Sequence, residues 1–197
     1  PAALGDRTLA KYVEQTREGG VKYTDYAIGK FIEQARTKPW FKDTLFVFVA
    51  DHTASSAGKI EVDPGAYHIP AIFYAPEFVA PRRIDRLVSQ IDIAPSILGA
   101  LHMSYRSRFI GQDQFASEGP QRAFISNYQK VAFVRGDDIV LLGTRHDVKG
   151  FRGGLPVEAN QLDGKLLSDA IAYYQHASGW RERFAGTSSI MPGGPGD

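Results

Sequence analysis

Leu45-Phe-Val-Phe-Val-Ala-Asp51-His52 is the stretch that decides the fold of this chain. Its apolar part, residues 45–50, carries no charge and is rich in valine and phenylalanine. This composition predicts a strand that is buried on both faces of a mostly parallel sheet. An acid and an imidazole follow directly. Because parallel sheets place their chemistry at the carboxyl ends of their strands, Asp51 and His52 are predicted to lie at a functional edge.

Segments on both sides of this strand fit an α/β fold. Residues 21–35 carry apolar side chains at helical spacing on one face: Ile28, Phe31, Ile32 and Ala35. Pro39 is expected to end this helix before the strand begins. A second apolar run, residues 69–75, is flanked by prolines, which favours a short strand or an edge strand.

The carboxyl-terminal part of the chain has a different pattern. Asp92 can cap a helix that continues to Leu101. Beyond that helix, three short apolar runs separated by turn residues predict an antiparallel meander over residues 123–126, 131–135 and 139–142. Helical spacing over residues 162–184 predicts a terminal helix that covers the meander. The predicted domains are an α/β core at 1–120, a meander with its helix at 121–185, and a flexible tail at 186–197.

Composition excludes several classes of function. The 197 residues include 23 basic and 22 acidic side chains, so we expect no electrostatic attraction to nucleic acid. No apolar run approaches the ~20 residues that a membrane-spanning helix needs. The absence of cysteine excludes disulfides, zinc-thiolate sites and a cysteine nucleophile.

The apolar strand also bears on how much of a domain the chain contains. A strand of this kind normally needs parallel neighbours, each of which arrives through its own βαβ unit. The sequence supplies too few such units, and it begins with proline rather than methionine. We therefore expect the chain to be the carboxyl-terminal portion of a longer protein.

Four residues near the predicted strand ends are candidates for chemistry. Asp51 and His52 offer an oxygen and a nitrogen ligand to one divalent cation; alternatively, Asp51 caps the next segment and His52 makes a local hydrogen bond. Lys59, in a loop of small residues, can present its ammonium group to a phosphate or sulfate oxygen, or simply be solvated. His68 can bind substrate or donate a proton, or be structural. The hydroxyl groups nearby, Thr53 among them, lack the base and orienting acid of a nucleophile and are interpreted as shaping the turn.

Six segments occur in a recognisable order: Tyr23-Thr-Asp-Tyr-Ala-Ile-Gly29, Trp40 to His52, Tyr67-His-Ile-Pro-Ala-Ile-Phe-Tyr-Ala-Pro76, Gln90-Ile-Asp-Ile-Ala-Pro-Ser-Ile-Leu-Gly99, Gly111-Gln-Asp113 and Arg122 to Gln129. This order resembles the carboxyl half of a sulfatase-type domain in the alkaline phosphatase superfamily. Within that superfamily, the chain is most similar to the lipoteichoic acid synthase-like phosphoglycerol transferases.

The resemblance implies an α/β sandwich of the alkaline phosphatase and sulfatase type, of which this chain is the carboxyl-terminal portion. It implies that Asp51 and His52 bind a divalent metal ion (Mn, Mg, Ca or Zn). It also implies that Lys59 and His68 contact the substrate anion, although sulfatases usually have arginine at the position of His68. The nucleophile is implied to lie in the amino-terminal half of the same protein, outside this chain, so the fragment alone is expected to be inactive.

The implied reaction passes through a covalent intermediate. Its substrate would be an anionic lipid head group, phosphoglycerol or phosphoethanolamine, or a sulfate ester. A domain of this kind is expected on the extracytoplasmic (periplasmic) side, tethered to the inner membrane in the full-length protein. Two alternatives stay open: a sulfatase or phosphodiesterase that uses water as the acceptor, and a non-catalytic module that binds envelope glycan or a partner protein.

Overall fold

The structure, a computed structural model, describes residues 16–53, 64–116, 119–126 and 130–179. The chain divides into two compact units. Among the described residues, the first unit comprises 16–53, 65–84 and 100–103, and the second comprises 64, 85–99, 104–116, 119–126 and 130–179. These units are groupings of contacts rather than domain limits, so the boundaries predicted at residues 120 and 185 stay a prediction.

The first unit begins with helix α1, Arg17–Ala35. The Thr16 hydroxyl caps its amino terminus by accepting a hydrogen bond from the Gly19 N–H at 3.0 Å. The helix ends four residues before Pro39, which starts a short 3-10 helix, Pro39–Asp43. The predicted helix is therefore confirmed. Its predicted apolar face is only partly buried, because Ala35 is 3% exposed but Phe31 is 50% exposed.

Strand β1, Phe46–Val49, pairs with strand β2, Ala71–Tyr74, in an antiparallel two-stranded sheet. The prediction of a short second strand is confirmed. Within the described part of the chain the neighbour of β1 is antiparallel, so the prediction of a parallel neighbour is wrong there. Val49 is 40% exposed, and the burial of both faces of β1 stays a prediction. An apolar run indicates burial but carries no information about the direction of the neighbouring strand.

One face of this sheet packs against the helical segments of the same unit. Phe46 and Tyr74 lie opposite each other on that face, and their rings are 6.3 Å apart. Phe46 also contacts Phe41, with ring centroids 5.6 Å apart, and Ala35 completes the buried cluster. The amino end of β1 is thus held by an aromatic core.

The second unit contains a five-stranded antiparallel sheet in sequential order: β3 Ala123–Ser126, β4 Val131–Arg135, β5 Asp138–Leu142, β6 Val148–Arg152 and β7 Leu155–Val157. The predicted meander corresponds to the first three strands and is confirmed. The last two strands were not predicted from the sequence. Gly150 interrupts the apolar pattern of β6, and Pro156 argues against a strand at β7, although an edge strand tolerates proline.

Helix α3, Gly164–Ser178, covers this sheet, as predicted. Its residues Leu166 and Ala170 pack with Phe133, Val140 and Leu162 in a buried core. Gly150 is required for this packing, because a Cβ atom there would lie 2.8 Å from Leu162 Cδ1 and 2.9 Å from the Val157 carbonyl oxygen. Residues 180–197, which include the predicted end of the helix and the predicted tail, lie outside the described residues.

Helix α2, Ile93–Ala100, follows a 3-10 turn, Gln90–Asp92. The residue that caps this turn is Ser89, so the prediction that Asp92 is the cap is wrong. Asp92 instead closes a capping box, in which its Oδ2 accepts a hydrogen bond from the Ser89 N–H at 2.9 Å. A serine three residues ahead of an acid competes for the cap, and here the serine occupies it.

Asp92 also forms a buried ion pair. Arg122 Nη1 and Nη2 donate to its two carboxylate oxygens at 2.8 and 2.9 Å, and the Gln112 N–H donates to Oδ1 at 2.8 Å. Asp92 is 0% exposed and Arg122 is 1% exposed. Arg122 Nη2 additionally donates to the Ile110 carbonyl oxygen at 3.2 Å. The pair therefore ties the start of α2, the segment at 110–112 and the residue before β3 to one another.

Across the described ranges, the structure contains no helix that is both long enough and apolar enough to span a membrane.

Replacing Arg122 by methionine is expected to destabilise the protein by about 3–5 kcal/mol, because it leaves the Asp92 carboxylate buried without its partner. Urea denaturation followed by circular dichroism measures this loss. The matched control is Arg152→Met, which removes an exposed pair with Asp138 (Nε to Oδ1, 2.7 Å) and should change stability little. Equal losses in the two variants would contradict the role given to Arg122.

Candidate metal and anion site

The two strands of the first unit bring three of the candidate residues, Asp51, His52 and His68, to one end of their sheet. Val49 at the end of β1 lies opposite Ala71 at the start of β2, and the Ala50 N–H donates to the Pro70 carbonyl oxygen at 3.3 Å. Asp51 and His52 directly follow this end of β1. Because the strands are antiparallel, the segment that leads into β2 meets the segment that leaves β1.

Asp51 and His52 are exposed and close together. Their side chains are 89% and 65% exposed, and Asp51 Oδ2 lies 3.7 Å from His52 Nε2. The His52 N–H donates to Asp51 Oδ1 at 2.9 Å. His52 Nδ1 lies 2.9 Å from the Thr53 carbonyl oxygen. Asp51 and His52 therefore do make local hydrogen bonds, as the alternative to metal binding predicts. These bonds use Asp51 Oδ1 and His52 Nδ1, whereas the close pair is Asp51 Oδ2 and His52 Nε2.

The bond to Thr53 assigns the proton of a neutral His52 ring. A carbonyl oxygen accepts but cannot donate, so Nδ1 carries the hydrogen and Nε2 carries the lone pair. This arrangement, with the second ring nitrogen bonded to a carbonyl, is typical of histidines that bind metal ions. A neutral His52 ring in this position thus has the tautomer that a metal ligand needs.

The distance between the two side chains also fits a shared ion. Atoms that each bind one ion at about 2.0–2.2 Å lie roughly 3–4 Å apart, and Asp51 Oδ2 and His52 Nε2 are separated by 3.7 Å. Within the described ranges no group of three or more histidine, cysteine or acidic side chains is arranged to hold a metal. These two residues therefore account for part of a coordination shell, and their role as metal ligands stays a prediction.

His68 lies at the same end of the sheet. It is exposed and lies three residues before β2, just after a short 3-10 helix, Pro64–Tyr67. The Thr53 hydroxyl donates a hydrogen bond to the Ala66 carbonyl oxygen and so ties this helix to the end of β1. Thr53 therefore shapes the turn, as predicted. The substrate contact predicted for His68 remains a prediction, and Lys59 lies outside the described residues, within 54–63.

Two comparisons with known proteins bear on this arrangement. The family model for Sulfatase matches residues 9–103, a region that contains β1, β2 and all four candidate residues. A solved protein of the alkaline phosphatase superfamily from Vibrio parahaemolyticus matches with a TM-score of 0.76 and 26% identity, over 86% of this chain and 43% of that chain.

Two further solved structures share the fold at lower identity. Ps i-CgsB matches with a TM-score of 0.59 and 17% identity, over 88% of this chain and 46% of that chain. The complex of Ps i-CgsB with k-i-k-neocarrahexaose gives 0.57 and 17%, over 82% and 42%. The predicted fold class is confirmed: the chain has an α/β fold that matches the alkaline phosphatase superfamily. It spans less than half the length of each of these structures.

Replacing His52 by alanine in the full-length protein is expected to weaken binding of a divalent metal ion by at least about tenfold, since even residues behind a metal ligand contribute that much. Isothermal titration of the metal-free protein with Zn²⁺ and Mn²⁺ measures the affinity. The control is His146→Ala, which alters an exposed histidine of the second unit and should leave the affinity unchanged. Unchanged affinity in His52→Ala would remove His52 from the site.

Proposed function

We propose that this chain is the carboxyl-terminal part of a metal-dependent phosphoglycerol or phosphoethanolamine transferase similar to the lipoteichoic acid synthases. The observation that supports the proposal is the pair Asp51 Oδ2 and His52 Nε2, 3.7 Å apart at the carboxyl end of β1. This pair lies inside the region that resembles Sulfatase, a family whose name denotes ester hydrolysis. The substrate is a phosphodiester whose anionic head group is transferred.

Each candidate residue has a distinct part in this proposal. Asp51 and His52 hold a divalent metal ion, which when bound stabilises negative charge on the ester oxygens and activates the attacking hydroxyl. The hydrogen bond to the Thr53 carbonyl oxygen orients the His52 ring, so that Nε2 would be available to the ion. Lys59 and His68 contact the substrate anion, and His68 in its protonated form can donate a proton to the leaving alcohol.

The nucleophile belongs to the amino-terminal half of the same protein in this proposal. Its hydroxyl oxygen bonds to phosphorus, the bond from phosphorus to the leaving alcohol breaks, and that alcohol takes up a proton. A second alcohol then attacks phosphorus and releases the nucleophile. The transfer takes place on the extracytoplasmic side, with the full-length protein tethered to the inner membrane.

Two other functions differ from this one at defined points. A sulfatase or phosphodiesterase would use the same residues but pass the group to water instead of an alcohol. A non-catalytic module that binds envelope glycan would have no chemical need for a carboxylate beside a histidine whose Nε2 carries the lone pair. The geometry of Asp51 and His52 therefore favours the enzymes.

The test assays full-length protein in membrane and soluble fractions, each supplied with Mn²⁺, Mg²⁺, Ca²⁺ or Zn²⁺. The membrane fraction is expected to release diacylglycerol from a phosphatidylglycerol analogue. Thin-layer chromatography of an analogue that is labelled in its diacylglycerol part measures this release. His52→Ala should lower the rate by about 100-fold or more, as the loss of a metal-held transition-state interaction does. His146→Ala is the control variant.

Other results of this assay would identify the protein as a sulfatase, a phosphodiesterase or a binding module. Release of sulfate from an aryl sulfate without lipid turnover would make the protein a sulfatase. Hydrolysis of the phosphodiester in water without transfer to an alcohol would make it a phosphodiesterase. A protein that binds no metal and turns over neither compound would be the binding module, and the proposal would be wrong.

We also propose that the amino-terminal half of the same protein covers the outer face of the β1–β2 sheet. Side chains alternate across a strand, so Val47, Val49, Ala71 and Phe73 share the face opposite Phe46 and Tyr74. All four are apolar, yet Val49 is 40% exposed. A sheet that is apolar on both faces is stable when both are covered. The solved Vibrio parahaemolyticus structure, of which this chain covers 43%, has enough additional chain to supply the cover.

Val49→Lys in the full-length protein is expected to lower its stability by at least about 3 kcal/mol, because the ammonium group would be buried without a partner. Thermal and urea denaturation measure the change. The control is Leu155→Lys in β7, where the leucine is 71% exposed and a charge remains in solvent. Similar effects of both variants would show that the face is open. Size-exclusion chromatography with light scattering measures the oligomeric state. If the wild-type protein is a dimer and Val49→Lys is a monomer, a second copy of the chain covers this face.

A further inference from the structure

The second unit contains a groove that the proposed reaction does not use. It has a volume of about 470 Å³ and lies beside α3, between Lys165 and Tyr173. Its lining residues are Pro120, Arg135, Lys165, Asp169 and Tyr173. Pro120 and Tyr173 give the groove apolar surface beside its three charged side chains, a combination that small-molecule sites share.

The polar groups of the groove carry an excess positive charge. Arg135, at the end of β4, donates through Nη2 to Asp169 Oδ2, and Lys165 Nζ lies 3.3 Å from Asp169 Oδ1. The hydrogen bond from Arg135 lowers the pKa of the Asp169 carboxyl, so this group is ionised at neutral pH. Two cations therefore share one carboxylate, and the cluster has a net charge of one positive unit.

Both cations have hydrogen-bonding capacity left over. Arg135 has five N–H donors, of which its hydrogen bond to Asp169 uses one. The Lys165 side chain is 72% exposed, and its ammonium group can turn to a second acceptor while it remains near Asp169.

The walls of the groove are held in place. The Tyr173 ring packs edge-on against Phe124, with centroids 4.9 Å apart, and lies 5.6 Å from the Phe133 ring. The Arg135 guanidinium group lies over the Phe133 ring at 5.2 Å. A ligand therefore meets an aromatic edge and a cation whose positions are set by the core, so that little ordering is needed on binding.

We propose that this groove binds an oxyanion carried on a small ring compound, with the anion at Arg135 and Lys165 and the ring against Tyr173 and Pro120. The charged group is a carboxylate, phosphate or sulfate, since planar N–H forks and ammonium groups bind all three. A ring compound rather than a free ion is favoured because Pro120 and Tyr173 line the groove beside the cations. The inference does not depend on the proposed reaction, and none of its residues is a proposed metal ligand.

The test uses metal-free full-length protein and four probes: phenyl phosphate, phenyl sulfate, benzoate and phenol. Two-dimensional amide NMR titrations are expected to show saturable binding of at least one of the three anions, with shifts centred on Lys165, Asp169 and Tyr173. Phenol should bind at least about tenfold more weakly, because it lacks the charge-assisted hydrogen bonds. Binding should weaken as salt is added.

Variants separate the groove from the rest of the surface. Lys165→Gln is expected to weaken binding about three- to tenfold without loss of folding, since its side chain is exposed. Arg135→Gln should weaken it further, and its melting curve reports whether it folds. The matched control is Arg152→Gln, which removes an arginine paired with an aspartate elsewhere on the same sheet and should leave binding unchanged.

Three results would overturn the proposal. They are no binding of any anion, binding of phenol as tight as that of the anions, and equal weakening by Lys165→Gln and Arg152→Gln. Because the protein is free of metal and no turnover is measured, these results leave the proposed reaction unaffected, and failure of that reaction leaves the groove unaffected.

Discussion

The second unit depends on one buried carboxylate. Asp92 accepts hydrogen bonds from two backbone N–H groups, of Ser89 and Gln112, and from both terminal nitrogens of Arg122. These donors come from three different segments, and none of the three donor residues lies in a β-strand. Because a buried charge is costly unless every lone pair is used, the three segments must be in place together. A buried charge therefore holds together the segments that contain Ser89, Gln112 and Arg122.

Arg122 carries this constraint into the five-stranded sheet. It lies directly before β3, and its guanidinium group stacks 5.4 Å from the Phe124 ring. Phe124 in turn contacts Tyr173 on α3. The polar centre at Asp92 and the apolar core under α3 are thus joined through one aromatic side chain, so disruption of either is felt by the other. Cation and ring contacts of this type add to the ion pair when both partners are withdrawn from water.

The sequence predicts the parts of this structure that depend on local pattern. Helical spacing located α1 and α3, and short apolar runs located β1 to β5, since these signals lie within one element. The antiparallel pairing of β1 with β2 was missed because direction depends on residues far along the chain. Gly150 and Pro156 hid the last two strands. The partner of Asp92 lies 30 residues away, a separation that no local pattern reports. At the candidate site, strand ends indicated Asp51 and His52, but not the hydrogen bond from Thr53 that joins this end to residue 66.

That hydrogen bond has a consequence for variation of the site. Thr53 and Ala66 are 13 residues apart in sequence and joined in space, so they form two fixed attachment points for whatever chain runs between them. The entropic cost of closing such a segment rises only with the logarithm of its length, by about 0.6 kcal/mol for each doubling. Insertions or replacements between these points can therefore change the residues offered to a ligand, while the carboxylate and imidazole beside them keep their places.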